Sequence, residues 1–480
     1  MKATKIWVFV VLLLIPAITV HAWPWPDTGQ TKCYNAGIEI SCPSPGQPFY
    51  GQDAQYQGPT RSYTRLGQNG VVLPDASMYA DGWLMTRDNV TGLIWEMKTD
   101  DGTIHDKLNR YTWCDTNPAT NGGNQGACGT RSGNPEDTEA FINAVNDAQF
   151  GGFSDWRLPT IKELSSLINS SVQSYGLAID AAWFPLTTSS EYWSSTTNPQ
   201  YTVLAWKVDF SDGGVVDSDV FSLGKKRALF VRAVRATTIA SAALVDNGDG
   251  TVKDIGSGLM WQKATAPETY TWQNALSYCE NLSLAGYSDW RLPNRNELQS
   301  LVDYSRYNPA IDPLLIPHTM PSYYWSSTTF VANNAWNAWF VHFGEGPIGP
   351  EDKLLQSYYV RAVRAGPWLG PRIQITPSSL NFGYVPSGSY KDLILQVKNI
   401  GIGTLTGTVS SSPPFSIVSG GNYSLGTDQS QVVTIRYKPT SQGPHTGTIV
   451  FTGGGGATVP VTGKTEKPKG LPWLLLLLGN

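Results

Sequence analysis

The chain is short of charge. Of its 480 residues only 15% are Asp, Glu, Lys or Arg, against about 25% in an average globular protein. The formal balance of −4 at neutral pH gives no general attraction to nucleic acid or anionic lipid, and no nucleic-acid partner is expected. Lys225-Lys226-Arg227 is the one short basic run and reads as a solvated turn. Cysteine is scarce as well: five residues, none in Cys-x-x-Cys spacing, and the five histidines are scattered. That leaves no zinc-ligand spacing, and neither a metal nor a cofactor is expected. Past the N-terminus no apolar run reaches the ~18–20 residues that span a bilayer. The tail stretch Leu471–Leu478 is apolar but too short.

What is abundant is rings and turns. There are 18 Trp, 22 Tyr and 48 Gly, the composition of irregular, loop-rich domains held by large aromatic side chains. Residues 1–22 read as a secretion signal. Lys2 and Lys5 precede the apolar run Ile6–Ile15, Pro16 breaks it, and Val20-His21-Ala22 offers the cleavage point. The protein is therefore expected to be secreted, periplasmic or on the cell surface, with no transmembrane span after signal cleavage. Export permits disulfides. Cys33 and Cys42 lie close together around turn residues, and Cys114 and Cys128 bracket a Gly- and Asn-rich loop. Each pair is read as a local bridge. Cys279 falls near the apolar stripe of a helix and reads as a buried free thiol.

The dominant pattern is a duplication. Asp155-Trp156-Arg157-Leu158-Pro159 returns as Asp289-Trp290-Arg291-Leu292-Pro293. Tyr111-Thr112-Trp113, Tyr192-Trp193-Ser194-Ser195-Thr196-Thr197 and Val231-Arg232-Ala233-Val234-Arg235 return as Tyr270-Thr271-Trp272, Tyr324-Trp325-Ser326-Ser327-Thr328-Thr329 and Val360-Arg361-Ala362-Val363-Arg364. Offsets of 129 to 134 residues across the last three landmarks are too long for a solenoid and suit a whole domain. An irregular lead-in over 23–77 precedes a first copy at 78–236 and a second at 243–366. The first is longer by an insertion of 25 residues before its Asp-Trp-Arg-Leu-Pro. The second holds every landmark and is expected to fold alone.

Each copy carries two helix signals. Thr271 precedes a helical run in Trp272–Leu284. Thr160 with Glu163, and Asn294 with Glu297, form capping boxes directly after Arg-Leu-Pro. Leu164, Leu167 and Ile168, then Leu298, Leu301 and Val302, make the stripe that faces a core. Short alternating runs follow at Ala205–Phe210, Trp339–Phe343 and Val360–Arg364. The expected fold class is α+β for the two tandem copies. Past Gly366 the aromatics thin out. Strands at Ile373–Ile375, Leu393–Val397, Val432–Tyr437 and Gly447–Thr452 predict a β-sandwich over 372–464, with a tail at 465–480.

The opening Thr91-Gly92-Leu93-Ile94-Trp95 and Ser257-Gly258-Leu259-Met260-Trp261, the Asp-Trp-Arg-Leu-Pro and Trp-Ser-Ser-Thr-Thr motifs and the closing Val-Arg-Ala-Val-Arg resemble the Legionella collagen-like protein C-terminal (Lcl C-terminal) domain family. The resemblance covers about 280 residues and implies tandem C-type-lectin-like domains near the sulfatase-modifying-factor branch. The tail domain resembles the hydin and abnormal-spindle type immunoglobulin-like repeats, through Ile375-Thr376-Pro377, Val397-Lys398-Asn399 and Thr434-Ile435-Arg436-Tyr437-Lys438-Pro439. This implies a spacer or interaction module.

The motif residues themselves read as structural. Arg157 and Arg291 have planar forks suited to a carboxylate or to carbonyls near the turn. Ser194 and Ser195 have no histidine nearby in sequence. Neither copy has the cysteine pair that sulfatase-modifying chemistry would need. Asp246-Asn247-Gly248-Asp249-Gly250 has hairpin-turn chemistry and the wrong spacing for a helix-loop-helix calcium site. The reading is a non-enzymatic exported protein that recognises a polysaccharide or a surface protein. The alternative is a structural or envelope-assembly protein making protein contacts; an enzyme of the sulfatase-modifying type comes third. The candidate ligand-binding positions lie in the loop after Trp-Ser-Ser-Thr-Thr: Tyr201 in the first copy, and Asn333, Asn334, Trp336 and Asn337 in the second. Trp336 is the anchor, with Tyr201 its nearest analogue. Two such modules raise avidity if both bind one polymer.

Overall fold

The computed structural model describes residues 25–465 apart from 57, 130–136, 172–175, 218–222, 237–243, 334, 365–372, 378, 400–403, 427–428 and 454–456. The expected signal at 1–22, the tail beyond 465, Asn334 and the side chain of Asn333 lie outside the described residues. The protein is mostly β-sheet, with 12% helix.

A two-strand hairpin, β1 (Cys33–Tyr34) and β2 (Glu39–Ile40), lies in the lead-in. The first copy opens earlier than the expected 78, inside the segment that reads as irregular: β3 (Tyr63–Leu66) pairs with β4 (Met85–Asp88), and β5 (Ile94–Glu96) follows. Helices α1 (Thr138–Asp147) and α2 (Ile161–Ser166) follow. Strands β6 (Glu191–Thr197), β7 (Ala205–Asp209), β8 (Val215–Asp217) and β9 (Val234–Arg235) close the copy. The second copy repeats the order: β10 (Leu244–Asp246), β11 (Thr251–Asp254) and β12 (Met260–Gln262), then α3 (Trp272–Glu280) and α4 (Arg295–Ser300), then β13 (Tyr323–Phe330), β14 (Asn337–His342), β15 (Ile348–Asp352) and β16 (Val363–Arg364).

The short helices start where the sequence caps them. Thr160 accepts from the Glu163 amide, Asn294 accepts from the Glu297 amide, and both boxes are closed. Only six residues long, α2 and α4 are held by burial rather than propensity. Leu164, Leu167, Ile168, Leu298, Leu301 and Val302 are all buried in one core.

That core belongs to both copies. Strands β13-β14-β15-β8-β7-β6 form a single six-stranded sheet, joined where Ile348 pairs with Val215. One cluster unites Trp206, Val208 and Phe210 with Leu298, Trp339 and Val341. Across the seam Lys162 Nζ donates to the Ser300 carbonyl at 2.9 Å, Ser165 Oγ to Gln299 Oε1 at 3.0 Å, and Arg295 Nη2 to the Gly213 carbonyl at 2.6 Å. Gly213 has φ +92°, and a Cβ there would stand 2.9 Å from Ile168 Cγ2 of its own copy and 3.4 Å from Trp339 Cη2 of the other, so the turn that carries this seam bond favours glycine. An isolated second copy would lose half of this sheet and expose its core face. Its complete set of landmarks records the duplication and says nothing of the seam.

Because β8 and β15 are antiparallel, the copies are related by a half-turn. The β6–β7 and β13–β14 tips therefore lie at opposite corners of the sheet, on opposite edges and opposite ends. The sheet's other face carries a separate aromatic core in each copy, around Trp113, Trp156 and Trp193 in the first and Trp272, Trp290 and Trp325 in the second.

The lead-in packs onto the second copy. Gln30 bonds both backbone groups of Thr329 at 2.9 Å. Asp53 accepts from the Thr28 and Thr328 hydroxyls at 2.7 and 2.6 Å. Asn296 donates to the Pro26 carbonyl. The segment that reads as irregular is thus a built part of the body, pinned by buried polar contacts rather than by a periodic apolar pattern.

Among the described residues the third domain has nine strands: β17 (Ile373–Thr376), β18 (Leu380–Tyr384), β19 (Lys391–Asn399), β20 (Leu405–Ser410), β21 (Phe415–Ser419), β22 (Asn422–Leu425), β23 (Ser430–Tyr437), β24 (Pro444–Phe451) and β25 (Ala457–Lys464). They make two sheets, β17-β19-β23-β21 and β18-β25-β24-β20-β22. Alternate residues such as Val433, Ile435 and Tyr437 face the core between the sheets, as period-two burial requires.

Candidate functional site

The twice-used motif is a fastening in both copies. Arg157 grips Glu163 with two bonds of 2.6 and 2.7 Å, and Arg291 grips Glu297 with 2.7 and 2.6 Å. The same glutamates close the capping boxes, so each arginine fork is filled by a helix start. Burial alone would lower Arg291, but the Glu297 carboxylate outweighs it and holds the guanidinium above its ordinary range. Asp155 pairs with Arg235 and Asp289 with Arg364, each at 2.7 Å. Trp156 and Trp290 are buried and donate to the Phe150 and Leu284 carbonyls. The Asp-Trp-Arg-Leu-Pro segment, the helix start and the closing strand are tied at one point, and the forks are spent within the chain.

Other candidate chemistries are equally engaged. The Ser194 and Ser326 hydroxyls donate to the Trp206 and Trp339 carbonyls across the sheet. Asp246 is paired with Lys263, and Asp249 caps Thr251, so that loop is the β10–β11 turn. Cys33–Cys42 and Cys114–Cys128 are disulfides, and Cys279 is free and buried. Glu139 lies beside the Cys114–Cys128 sulfurs, but sulfurs bonded to each other are not thiolate ligands. Burial pushes the Cys279 thiol far up, which leaves it inert.

Two buried lysines escape sequence reasoning. Lys225 is 2% exposed and Lys353 1%; Lys225 is therefore no part of a solvated basic turn. Its Nζ sits 3.7 Å over the Trp113 ring and donates to the Asn121 and Asn124 carbonyls and to Thr197 Oγ1. Lys353 sits 4.1 Å over Trp272 and donates to the Asn35 carbonyl and Thr329 Oγ1. Desolvation lowers Lys225 to about 8, against the pull of Asp115, and holds Lys353 well below its usual range. Each lysine fastens a disulfide-closed loop over its copy. In the first that loop is the insertion; in the second it is the lead-in hairpin. Setting Lys353 against Lys225, each a few residues upstream of its Val-Arg-Ala-Val-Arg, was the available signal.

A charged cluster marks the first copy alone. Glu96 is buried and takes bonds from Lys98 (2.9 Å), His105 (2.8 Å) and the Ala233 amide (2.8 Å). Burial opposes its charge, but Lys98 and His105 prevail and hold it at about 2. The matching residue in the second copy is neutral Gln262, which accepts from the Ala362 amide and donates to the Tyr278 hydroxyl.

The candidate loop residues fall at the two opposite tips. Tyr201 is 48% exposed and Trp336 45%. Asn337 begins β14, half-buried, paired with Phe330 and Asp352. Asn333 ends a 3-10 turn over Val331–Asn333. The counterpart of Trp336 is Val203, not Tyr201: the Lys225 amide donates to the Val203 carbonyl as the Lys353 amide donates to that of Trp336. Trp336 also has a neighbour its sequence does not announce. A Cβ on Gly37 of the lead-in turn would stand 3.0 Å from Trp336 Cζ2, so part of the ring lies against that turn.

A duplicated body of mostly short strands with, among the described residues, two α-helices in each copy, knit through one sheet and followed by a β-sandwich, defines a tandem-domain protein with an immunoglobulin-like appendage. The Lcl C-terminal domain family matches residues 84–235 and 250–364, and the chain belongs to it. Residues 371–464 match the HYDIN/CFA65/VesB-like Ig-like domain. No curated protein matches. Similar solved structures include the ASH/PapD-like domain 7 of human CEP192, at 14% identity over 21% of this chain and 88% of that one, TM-score 0.18. The E. coli chaperone DraB matches at 12% identity over 21% of this chain and 58% of its own, TM-score 0.18. The secreted serine protease VesC from Vibrio cholerae matches at 12% over 28% and 37%, TM-score 0.17. The chain thus spans little more than half of DraB and about a third of VesC, and no property of these proteins transfers at that likeness.

Proposed function

We propose that this is an exported, non-enzymatic binding protein of the periplasm or cell surface, whose two copies have the C-type-lectin-like fold and recognise a carbohydrate or surface ligand. The observation that carries the binding reading is Trp336, a large ring left nearly half exposed at a sheet corner, with Asn337 beside it. A flat apolar face with one polar handle suits sugar and protein surfaces alike. Export is supported by two disulfides, and among the described residues no helix is long and apolar enough to cross a membrane. The non-enzymatic reading draws on the engaged serines and the inert Cys279.

The test is a glycan array and a surface-protein pull-down with the mature chain, repeated with Trp336→Ala. Losing an anchor ring costs more than about 2 kcal/mol, so binding weakens roughly thirtyfold while the fold persists. Normal binding by the folded variant removes this loop from the site.

The second reading, an envelope-assembly protein, is favoured by the contact between Trp336 and Gly37, which gives the ring a fastening role. Under it Trp336→Ala loosens the lead-in and lowers the melting temperature, and the array stays blank.

A further inference from the structure

The half-turn that relates the copies allows the same place to be compared twice. On the outer face of the shared sheet the first copy puts Glu191 on β6 against Lys207 on β7, with Arg227 on the same carboxylate. The second copy puts Tyr323 on β13 and Phe340 on β14 there. Their rings are 4.8 Å apart, and Tyr358 stacks 4.8 Å from Tyr323 at 19°. Tyr358 pairs through its backbone with Tyr270, and the Tyr270 ring is 5.1 Å from that of Tyr278 on α3. The first copy builds the corresponding pair from Leu229 and a fully covered Tyr111. The scaffold therefore does not require this run of partly exposed rings.

Beside Tyr270 and Tyr278 opens a cleft of about 430 Å³, also lined by Asn274, Ser277, Asn281 and Leu282. That falls within the ~300–1,000 Å³ typical of small-ligand clefts. None of these side chains is charged. Among the described residues the hydroxyls of Tyr270, Tyr323 and Tyr358 and the amide of Asn274 have no hydrogen-bond partner. Two carboxylates lie near these rings: Glu268, two residues before Tyr270, and Glu351 on β15, two residues from the Gly349 that pairs with Phe340. After burial, each is the next cause raising the neighbouring phenol, Tyr270 for Glu268 and Tyr358, pushed up to about 12, for Glu351.

We infer that this cleft and the tyrosine strip beside it bind an uncharged glycan chain. A pyranose ring offers an apolar C–H face, which fits the flat tyrosines, and hydroxyls, which fit an amide that donates and accepts. Glu268 and Glu351 repel a sulfated or uronic polymer. The inference rests on the carbohydrate reading but not on the Trp336 loop. Tyr323 pairs with His342, whereas Asn337, next to Trp336, pairs with Phe330; the two places are at opposite ends of one hairpin, about 17 Å apart.

The experiment is affinity electrophoresis of the mature full chain through gels containing galactomannan, xyloglucan, mixed-linkage β-glucan or dextran sulfate. Asn274→Ala, Tyr278→Ala, Tyr323→Ala and Trp336→Ala are run beside it, each with a melting curve. At least one uncharged polymer retards the wild type, and dextran sulfate does not. Tyr278→Ala and Tyr323→Ala weaken retardation at least tenfold and Asn274→Ala at least threefold; Trp336→Ala is run beside them to read the separate loop site. Asn274 and Tyr323 are exposed, so those two decide the matter if Tyr278→Ala fails to fold. Full retardation of both overturns the inference, as does retardation by dextran sulfate alone. Loss only in Trp336→Ala removes this cleft and keeps the carbohydrate reading; a wild type that no polymer retards removes both.

Discussion

The first copy brings its own cover and the second borrows one. Over Trp113 and Lys225 the first lays its insertion, closed by Cys114–Cys128. Over Trp272 and Lys353 the second lays the lead-in, closed by Cys33–Cys42. In both cases a buried ammonium, stacked on a tryptophan, reaches backbone carbonyls of a disulfide loop. The duplicated frame needs that loop to satisfy a buried cation, and the chain supplies it from two unrelated places. The copies are thus equal in frame and unequal in self-sufficiency.

The sharpest way to break this symmetry is to cut the chain. A 243–366 fragment lacks the lead-in, the partner half of the sheet and half of the common core. It is expected to show no cooperative thermal transition, whereas residues 25–364 melt as one unit. A cooperative melt of the short fragment would mean the seam contributes little.

Next comes the buried charge that only the first copy has. Glu96→Gln leaves Lys98 buried beside a neutral amide, which typically costs about 3–5 kcal/mol. The second copy's natural Gln262 has no lysine to strand. Glu96 is held at about 2 against an ordinary 4.5. Its contribution is therefore complete above pH 4.5 and fades as pH falls toward 2. Melting curves between pH 2 and 5 should show that loss in the wild type and a flatter dependence in the variant.

Opening the covers tests whether they are equivalent. Cys114→Ser with Cys128→Ser, and Cys33→Ser with Cys42→Ser, should each cost about 2–3 kcal/mol in denaturant unfolding, with the longer 114–128 loop losing more. A silent lead-in pair would show that the hairpin is held by its polar contacts alone.

The smallest effect is a stabilisation. Burial raises Asp53 to about 7 even though Thr328 and Thr28 favour its charged form. The folded state keeps a proton that the unfolded chain releases above 3.8, so stability declines as pH rises from there to about 7. Asp53→Asn keeps an acceptor for both hydroxyls. It should raise the melting temperature at pH 8 by about 2 °C or more and leave it unchanged at pH 4.

Much of this was written locally. The capping boxes at Thr160 and Asn294, the apolar stripes behind them and the short Cys–Cys spacings each concern residues within one turn or one loop, and such signals survive in a linear reading. The seam was not legible, because Gly213 and Arg295 meet only after two distant segments fold against each other. Lys225 sits in a run that looks solvent-facing, and nothing local marks the carbonyls it reaches. Tyr201 was matched to Trp336 by its chemistry, while backbone pairing matches Val203. The lead-in has no periodicity to read, since it is fixed by single polar contacts such as Gln30 with Thr329.

Duplication on this plan separates the two tips rather than clustering them. The axis through the β8–β15 pairing carries Tyr201 to one corner of the sheet and Trp336 to the opposite one. Each copy can therefore change its own rim while the frame between them stays fixed, as Glu191 with Lys207 in the first and Tyr323 with Phe340 in the second already show.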